Sequence, residues 1–184
     1  SIISDRGSDL WLGVKEFQKK VGDGVIALYD VCHKIAREYE KLFEGDPDWS
    51  AFKEKANYCK KQLHCTAGAA FAPPAQRKKA RFHNVDIIIN WAIRLLQYDG
   101  KLEERVCEKL KWIHDYKNQI MKWNQWIEIG KHTRDQVRES GFGFDTEGLI
   151  IERLASFPMV ESSHQLTCNL LDFVSKESNQ LPAG

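Results

Sequence analysis

Two short polar segments near the beginning of the sequence carry the residue types best suited to chemistry. Asp5 follows the apolar pair Ile2 and Ile3, just before a helical pattern. Asp30 and His33 stand one helical turn apart after a second apolar run. In α/β proteins the carboxyl ends of strands are where ligands and metal ions bind, and carboxylate oxygens suit Mg²⁺. Asp5 is therefore the first candidate for a metal ligand.

Each of these residues also has a purely structural interpretation. Asp5 lies in a Ser-Asp-Arg-Gly-Ser segment, and aspartate next to glycine and serine is common in turns. Asp30 is placed to cap the following helix, and His33 to pack or hydrogen-bond locally. From the residues alone the turn is the favoured interpretation of Asp5. For Asp30 and His33 both interpretations stay open, and neither is assigned a catalytic role.

A basic run between Pro74 and Phe82 is the strongest local candidate for contact with phosphate. Clustered Lys and Arg displace condensed counterions from DNA, although a solvated helix surface is the commoner explanation of such a run. His33, at the exit of the second strand, is the other candidate. The predicted DNA-contacting residues are Arg77, Lys78, Lys79, Arg81 and His33.

The composition excludes several classes of protein. The 184 residues carry 27 Lys and Arg against 26 Asp and Glu, so no global basic field indicates nucleic acid. Five scattered cysteines are typical of reduced thiols and not of a disulfide framework. The sequence has no apolar stretch long enough for a signal or a membrane span. We expect a cytoplasmic protein with no membrane partner.

The hydrophobic pattern predicts a strand-helix-strand unit followed by helices alone. Strands are expected at residues 2–4 and 25–29, joined by a helix marked by apolar residues at 10, 14, 17 and 21. Helical patterns then continue, with breaks near 45, 68–74, 99, 141 and 158. The stripe that begins at residue 102 has no obvious break before about residue 131.

Four tryptophans lie within this helical region, at positions 91, 112, 123 and 126. Aromatic side chains can stack on unpaired bases, but aromatic residues at helical spacing more often fill a core. We therefore expect these four side chains to pack inside the helical region.

Several segments together resemble a known family. They are Ile-Ser-Asp-Arg-Gly-Ser-Asp-Leu at 3–10, Tyr-Asp at 29–30 with His-Lys at 33–34, Asp-Trp-Ser-Ala-Phe at 48–52, and the segment 73–86. In this order they are similar to bacterial insertion-sequence transposases, which have an RNase H-like core and a DDE triad of acids. The resemblance covers about the first 100 residues in recognisable segments.

The resemblance implies a role for Asp5. It matches the family's second catalytic acid, at the end of the fourth strand, and would ligate Mg²⁺ (or Mn²⁺) in the complete enzyme. The first acid would precede Ser1. The third is a Glu on a later helix, for which Glu147, Glu152 and Glu161 are candidates, with Glu161 the best of them. A Glu beyond Gly184 is favoured, because the family's Glu is typically in a Ser-rich segment that leads into a final helix with a following Lys or Arg, and none of the three is followed in that way.

The expected fold class is an α/β fragment, mostly α, in which a partial RNase H-like core is followed by a large helical insertion. We assign residues 1–45 to the core, 46–158 to the insertion, and 159–184 to a helix and loop that lead back toward the core. Two strands make a poor sheet, so we expect the sheet to continue upstream.

The function implied is that of a DDE transposase fragment. The parent enzyme would cut and transfer DNA strands with Mg²⁺, as a homodimer on transposon ends and target DNA, in the bacterial cytoplasm at the nucleoid. This chain alone would be inactive, because one aspartate cannot hold two metal ions. The alternative is a helical transposase remnant that binds DNA or protein without catalysis.

Overall fold

A computed structural model describes residues 1–4, 8–22, 25–75, 82, 84–157 and 159–181. The chain is mostly helical, with a small two-stranded parallel sheet at its N-terminus. None of the described helices combines the length and the apolar character needed to cross a bilayer.

The order of elements follows the expected strand-helix-strand start and the helices after it. The strands are β1 (Ile2–Ser4) and β2 (Ala27–Tyr29). The helices are α1 (Ser8–Val21), α2 (Val31–Glu44), α3 (Pro47–Leu63), α4 (Val85–Leu96), α5 (Glu104–Leu110), α6 (Lys117–Ser140), α7 (Thr146–Leu154) and α8 (Glu161–Ser178). Two 3₁₀ segments, Ala67–Phe71 and Lys111–Tyr116, precede α4 and α6.

The two strands pair in parallel through the crossover helix α1, as parallel strands require. Ile2 is opposite Ala27 and Ser4 is opposite Tyr29. β2 begins two residues later than the sequence predicts, because β1 offers only three residues to pair with. The carbonyl of Val25 instead accepts a hydrogen bond from the Gln18 side chain, at 2.9 Å.

Helix α1 leaves most of its apolar residues uncovered. Val14 is buried, but Leu10, Phe17 and Val21 are between 47% and 59% exposed. Ile3 on β1 is exposed as well. The apolar stripe predicted from the sequence therefore exists, but the described residues cover only its middle.

The chain divides into two compact units. One comprises Ser1–Glu38 with Glu128–Gly184, and the other Tyr39–Ile127. The sequence suggested divisions at loops, after residues 45 and 158, whereas the units divide inside α2 and α6. The difference has a physical reason: sequence patterns mark where helices end, while compact units follow packing, which changes along a long helix.

The unit 39–127, called the helical unit below, has an aromatic core. Phe43 lies 4.5 Å from Trp49 and 5.1 Å from Trp126, measured between ring centroids. Trp123 is completely buried and meets Trp49 at 5.1 Å in an edge-to-face arrangement. Trp91 is also buried, and Trp112 packs on Phe52 at 5.4 Å. The prediction that these tryptophans form a core is confirmed.

Asp46 ties the turn between α2 and α3 to this core. Its carboxylate caps α3 by accepting the Asp48 N–H at 3.0 Å. It also accepts the indole N–H of Trp123 at 2.9 Å and contacts the Lys122 ammonium at 2.7 Å. Burial by itself raises the pKa of Asp46, but the hydrogen bonds from Lys122 and Trp123 outweigh it, so the pKa is lowered.

The other unit, called the α/β unit below, is held together by α8. The buried carboxylate of Glu38 on α2 accepts hydrogen bonds from Lys34 at 2.8 Å and from Asn169 on α8 at 3.0 Å. Phe173 on α8 packs edge-on against Tyr29 of β2, with centroids 6.0 Å apart. Helix α8 therefore covers both β2 and α2.

We predict that Asp46→Ala lowers the free energy of unfolding by about 3 kcal/mol. About 1 kcal/mol comes from the lost helix cap, and the rest from a buried Trp123 N–H left without a partner. Asp46→Asn, which keeps an oxygen for the cap, should lose about half as much. Urea unfolding followed by tryptophan fluorescence measures both. Asp99→Ala, in an exposed loop, is the control, and an equal loss there would contradict the assignment.

The lowered pKa of Asp46 predicts a pH-dependent part of this stability. A carboxylate whose pKa is lower in the folded state stabilises the fold above its ordinary pKa of about 4, and this contribution disappears as the pH falls through the folded-state pKa. The stability difference between the unmodified chain and Asp46→Asn should therefore be constant near neutral pH and shrink below about pH 4. A difference that grows on acidification would refute this.

Candidate functional site

The carboxyl ends of the two strands meet at one edge of the sheet. The N–H of Asp30, which follows β2, donates to the carbonyl of Ser4, the last residue of β1, at 2.9 Å. Asp5 follows Ser4 in the sequence and lies outside the described residues. The two acids selected from the sequence thus each come directly after one of two paired, parallel strands.

Asp30 caps helix α2. Its Oδ1 accepts the Cys32 N–H at 2.8 Å, and its main-chain carbonyl accepts the Lys34 N–H at 3.0 Å. Its Oδ2 lies 3.2 Å from Nδ1 of His33, which is itself partly exposed. The capping interpretation of Asp30 and the local hydrogen bond of His33 are therefore both confirmed. Contact of His33 with DNA stays a prediction.

Arg138, near the end of α6, adds positive charge beside this cap. Its guanidinium donates to the Sγ of Cys32 at 3.7 Å. Burial, followed by the charge of Asp30, raises the pKa of the Cys32 thiol, and Arg138 and Arg134 only partly oppose this. Cys32 is thus protonated at neutral pH and does not act as a thiolate nucleophile. Arg134 is paired with Asp135 at 2.8 Å, whereas Arg138 is exposed.

Glu177 closes the other side of β2. Its side chain is 5% exposed, and its Oε2 accepts the Tyr29 N–H at 2.8 Å. Because the N–H of the next residue, Asp30, points to β1, the N–H of Tyr29 points away from β1. The carboxylate of Glu177 therefore takes the hydrogen-bonding position that a further strand would use, and ends the sheet at β2.

Sequence reasoning missed both Glu177 and Arg138. Glu177 had a readable signal, since it continues the apolar stripe of Leu166, Leu170 and Val174 at helical spacing, where an acid must find a partner. Arg138 had none, because the residue that it contacts is 106 positions away in the sequence.

The remaining predicted residues are the basic run and the three candidate glutamates. Arg77, Lys78, Lys79 and Arg81 are outside the described residues. Glu161 is the exposed first residue of α8, and Glu147 and Glu152 lie on α7. None of these three candidate acids contacts β1 or β2 through a hydrogen bond recorded for the described residues.

The described residues do not by themselves supply the ligands of a two-metal site. Among them, no group of three or more His, Cys, Asp or Glu side chains is arranged to hold a metal ion. Both carboxylate oxygens of Asp30 already have partners, and Glu177 is buried against the Tyr29 N–H. A Mg²⁺ site at this edge needs Asp5 together with carboxylates outside the described residues.

No protein-family model matches the sequence, and comparisons with curated proteins and with solved structures gave no match. A functional assignment therefore depends on the residues and their geometry. The feature to be explained is a parallel strand pair with an acid after each strand, a half-exposed histidine and an exposed arginine beside them.

We predict that Glu177→Ala lowers the free energy of unfolding by about 2 kcal/mol, because the buried N–H of Tyr29 loses its acceptor. Glu177→Gln, which keeps an acceptor oxygen, should cost less. Hydrogen exchange of the Tyr29 amide should accelerate in Glu177→Ala by more than in Glu177→Gln.

Glu161→Ala, at the exposed beginning of the same helix, is the matched control and should stay within about 0.5 kcal/mol of the unmodified chain. An equal effect of Glu161→Ala and Glu177→Ala would show that the Tyr29 hydrogen bond is not what the mutation removes.

Proposed function

We propose that this chain is part of a DDE transposase, which cuts and joins DNA by Mg²⁺-dependent phosphoryl transfer, with Asp5 as a metal ligand. The observation that carries the proposal is the hydrogen bond between Asp30 and Ser4 at the carboxyl edge of a parallel strand pair. It supports assigning β1 and β2 to the fourth and fifth strands of an RNase H-like core, as the sequence resemblance implies.

The asymmetry of the sheet supports the same assignment. Glu177 ends the sheet on the β2 side, whereas β1 carries no second strand among the described residues. Ile3 of β1 and Leu10, Phe17 and Val21 of α1 are exposed. A sheet can thus grow only beyond β1, and the strand bearing the first catalytic aspartate would pair there, with the exposed apolar face covered by the extended core.

The length of α8 determines how far Glu161, a candidate for the third catalytic acid, lies from the strands. Glu161 precedes Glu177 by sixteen residues, which is about 24 Å along an α-helix. Glu177 touches β2 beside Asp30, so Glu161 is far from the strand ends. Two Mg²⁺ ions in such sites lie about 3.5–4 Å apart and need their carboxylates close together. This distance argues against Glu161. As the sequence resemblance favours, we assign the third acid to a segment beyond Gly184, and expect the chain alone to be inactive.

The charged groups at the strand edge fit a nucleic-acid substrate. His33 is half exposed, and Arg138, which donates to the Sγ of Cys32, is exposed. Arginine and histidine side chains at this position would contact the phosphates that flank the scissile bond. When bound, the two metal ions would activate the attacking oxygen and stabilise the leaving oxygen. DNA, as transposon ends and target, is the proposed partner, with a homodimer in the complete enzyme.

The alternative is a transposase remnant that binds DNA or protein without catalysis. The coding DNA on either side of this segment separates the two. A strand bearing an Asp upstream and a Ser-rich segment with a Glu just downstream favour the enzyme. A start codon near Ser1 and a stop codon after Gly184 favour the remnant.

We predict that Asp5→Asn in the longer polypeptide lowers the rate of Mg²⁺-dependent cleavage of transposon ends by at least about 1,000-fold, the equivalent of about 4 kcal/mol. Binding of the same DNA without metal should be unchanged. Asp30→Asn retains an acceptor for the Cys32 N–H and serves as the control. It should keep cleavage within about tenfold, because Asp30 caps a helix and is assigned no metal. Unchanged cleavage by Asp5→Asn would end the assignment.

A further inference from the structure

A lysine-rich surface lies on the helical unit and contains none of the residues of the basic run selected from the sequence. It consists of the solvent side of α3 together with residues 109–117, and is called the α3 lysine surface here. These two segments contain seven lysines and three acids. The lysines are Lys53, Lys55, Lys60, Lys61, Lys109, Lys111 and Lys117, and the acids are Asp48, Glu54 and Asp115.

Direct contacts hold the two segments side by side. The Lys109 ammonium donates to the carbonyl of Gln62 at 3.2 Å, and the Cys59 thiol donates to the Lys109 carbonyl at 3.4 Å. At the other end, the Lys55 ammonium lies 5.0 Å from the centre of the Tyr116 ring. Lys109 and Lys55 are therefore held where the two segments pack against each other.

Tyr58 stands in the middle of this surface. Its side chain is 65% exposed, although tyrosine carries a large apolar ring. Lys55 and Lys61, also exposed, are three residues before and after Tyr58, so each of them neighbours Tyr58 on the helix surface. They are about 9 Å apart along the helix axis. A duplex presents one charge per about 1.7 Å of its axis, so this span faces several phosphates.

The charge of the whole chain conceals an uneven distribution of charged residues between the two units. Residues 39–127 contain 16 Lys and Arg against 11 Asp and Glu, while the rest of the chain contains 11 against 15. The near-zero net charge is thus the balance of a basic helical unit and an acidic α/β unit. Four of the 16 basic residues of the helical unit belong to the run 77–81, outside the described residues, and without that run the unit contains 12 Lys and Arg against 11 Asp and Glu. The positive charge of the α3 lysine surface is therefore a local excess of its seven lysines over its three acids, which would attract a polyanion to that surface.

We propose that the α3 lysine surface binds the phosphate backbone of duplex DNA without reading its sequence. Lysine ammonium groups bind phosphates as point charges, and these two segments contain no arginine, whose planar guanidinium suits bidentate contacts with bases. The hydroxyl of Tyr58 donates to a phosphate oxygen between the lysines. The choice of DNA among polyanions rests on the proposed function. The α3 lysine surface would thus bind DNA through residues that are separate in the sequence from Asp5.

The test is the affinity of the 184-residue chain for a fluorescent duplex of about 30 base pairs and arbitrary sequence, between about 50 and 200 mM salt. EDTA is present, so that no metal-dependent chemistry contributes. The double variant Lys55→Gln/Lys61→Gln should bind about tenfold more weakly, with a salt dependence lower by about two phosphate contacts. Tyr58→Ala should weaken binding further with no change in salt dependence.

The matched control is Lys20→Gln/Lys176→Gln, which removes the same charge from exposed lysines of the α/β unit. It should bind as the unmodified chain does. Equal losses in both double variants would overturn the proposal, since overall charge would then explain the binding. No binding by the unmodified chain, or tighter binding to RNA or heparin than to duplex DNA, would overturn it as well.

All four lysines are exposed, so their substitution should leave the helical content of the chain unchanged. Circular dichroism of each variant checks this. Failure of the lysine variants to weaken binding would refute the α3 lysine surface alone. Failure of Asp5 substitution to abolish cleavage in the longer polypeptide would refute the catalytic assignment alone.

Discussion

The hydrogen bond from the Tyr29 N–H to Glu177 is the constraint on which the α/β unit depends. A parallel pair of three-residue strands is too small to be stable by itself, and its outer edge exposes main-chain groups that need partners. Helix α8 supplies that partner through a side chain 148 residues further along the sequence. The Glu38 contacts with Lys34 and Asn169 fix the same helix on α2, so the edge closure and the packing of α2 reinforce each other.

Local signals in the sequence accounted for most helix boundaries. The Gly-Asp-Pro turn at 45–47 ends α2 and begins α3, because proline suits the first helical turn and Asp46 caps it. Helix α4 also ends where its apolar stripe does. Helix α6 runs to Ser140, nine residues past the expected end, because Val137 continues the buried side after the stripe becomes polar. Helix α1 shows what periodicity does not predict. The apolar spacing predicts an apolar face on this helix, but not which part of the protein covers that face.

Only those parts of the candidate site that are formed by residues close together in the sequence were predictable. Asp30 and His33 could be placed at a strand exit because the strand, the cap and the helical turn lie within five residues of sequence. Arg138 and Glu177 reach the same strands from α6 and α8, and no local pattern links positions so far apart. A buried acid in an apolar stripe does indicate that a partner exists. It does not indicate which main-chain group the partner is.

Among the described residues, the two edges of the sheet differ in which main-chain groups and apolar side chains remain uncovered. On the β2 side, Glu177, Phe173 and Phe142 fill the space, and Tyr29 is buried. On the β1 side, large apolar side chains of α1 are half exposed, and each is worth about 1.5–3 kcal/mol when fully buried. Parallel sheets are normally covered on both faces. A strand added beyond β1 would therefore gain main-chain hydrogen bonds and apolar contacts together, whereas one added beyond β2 would first have to displace a buried carboxylate.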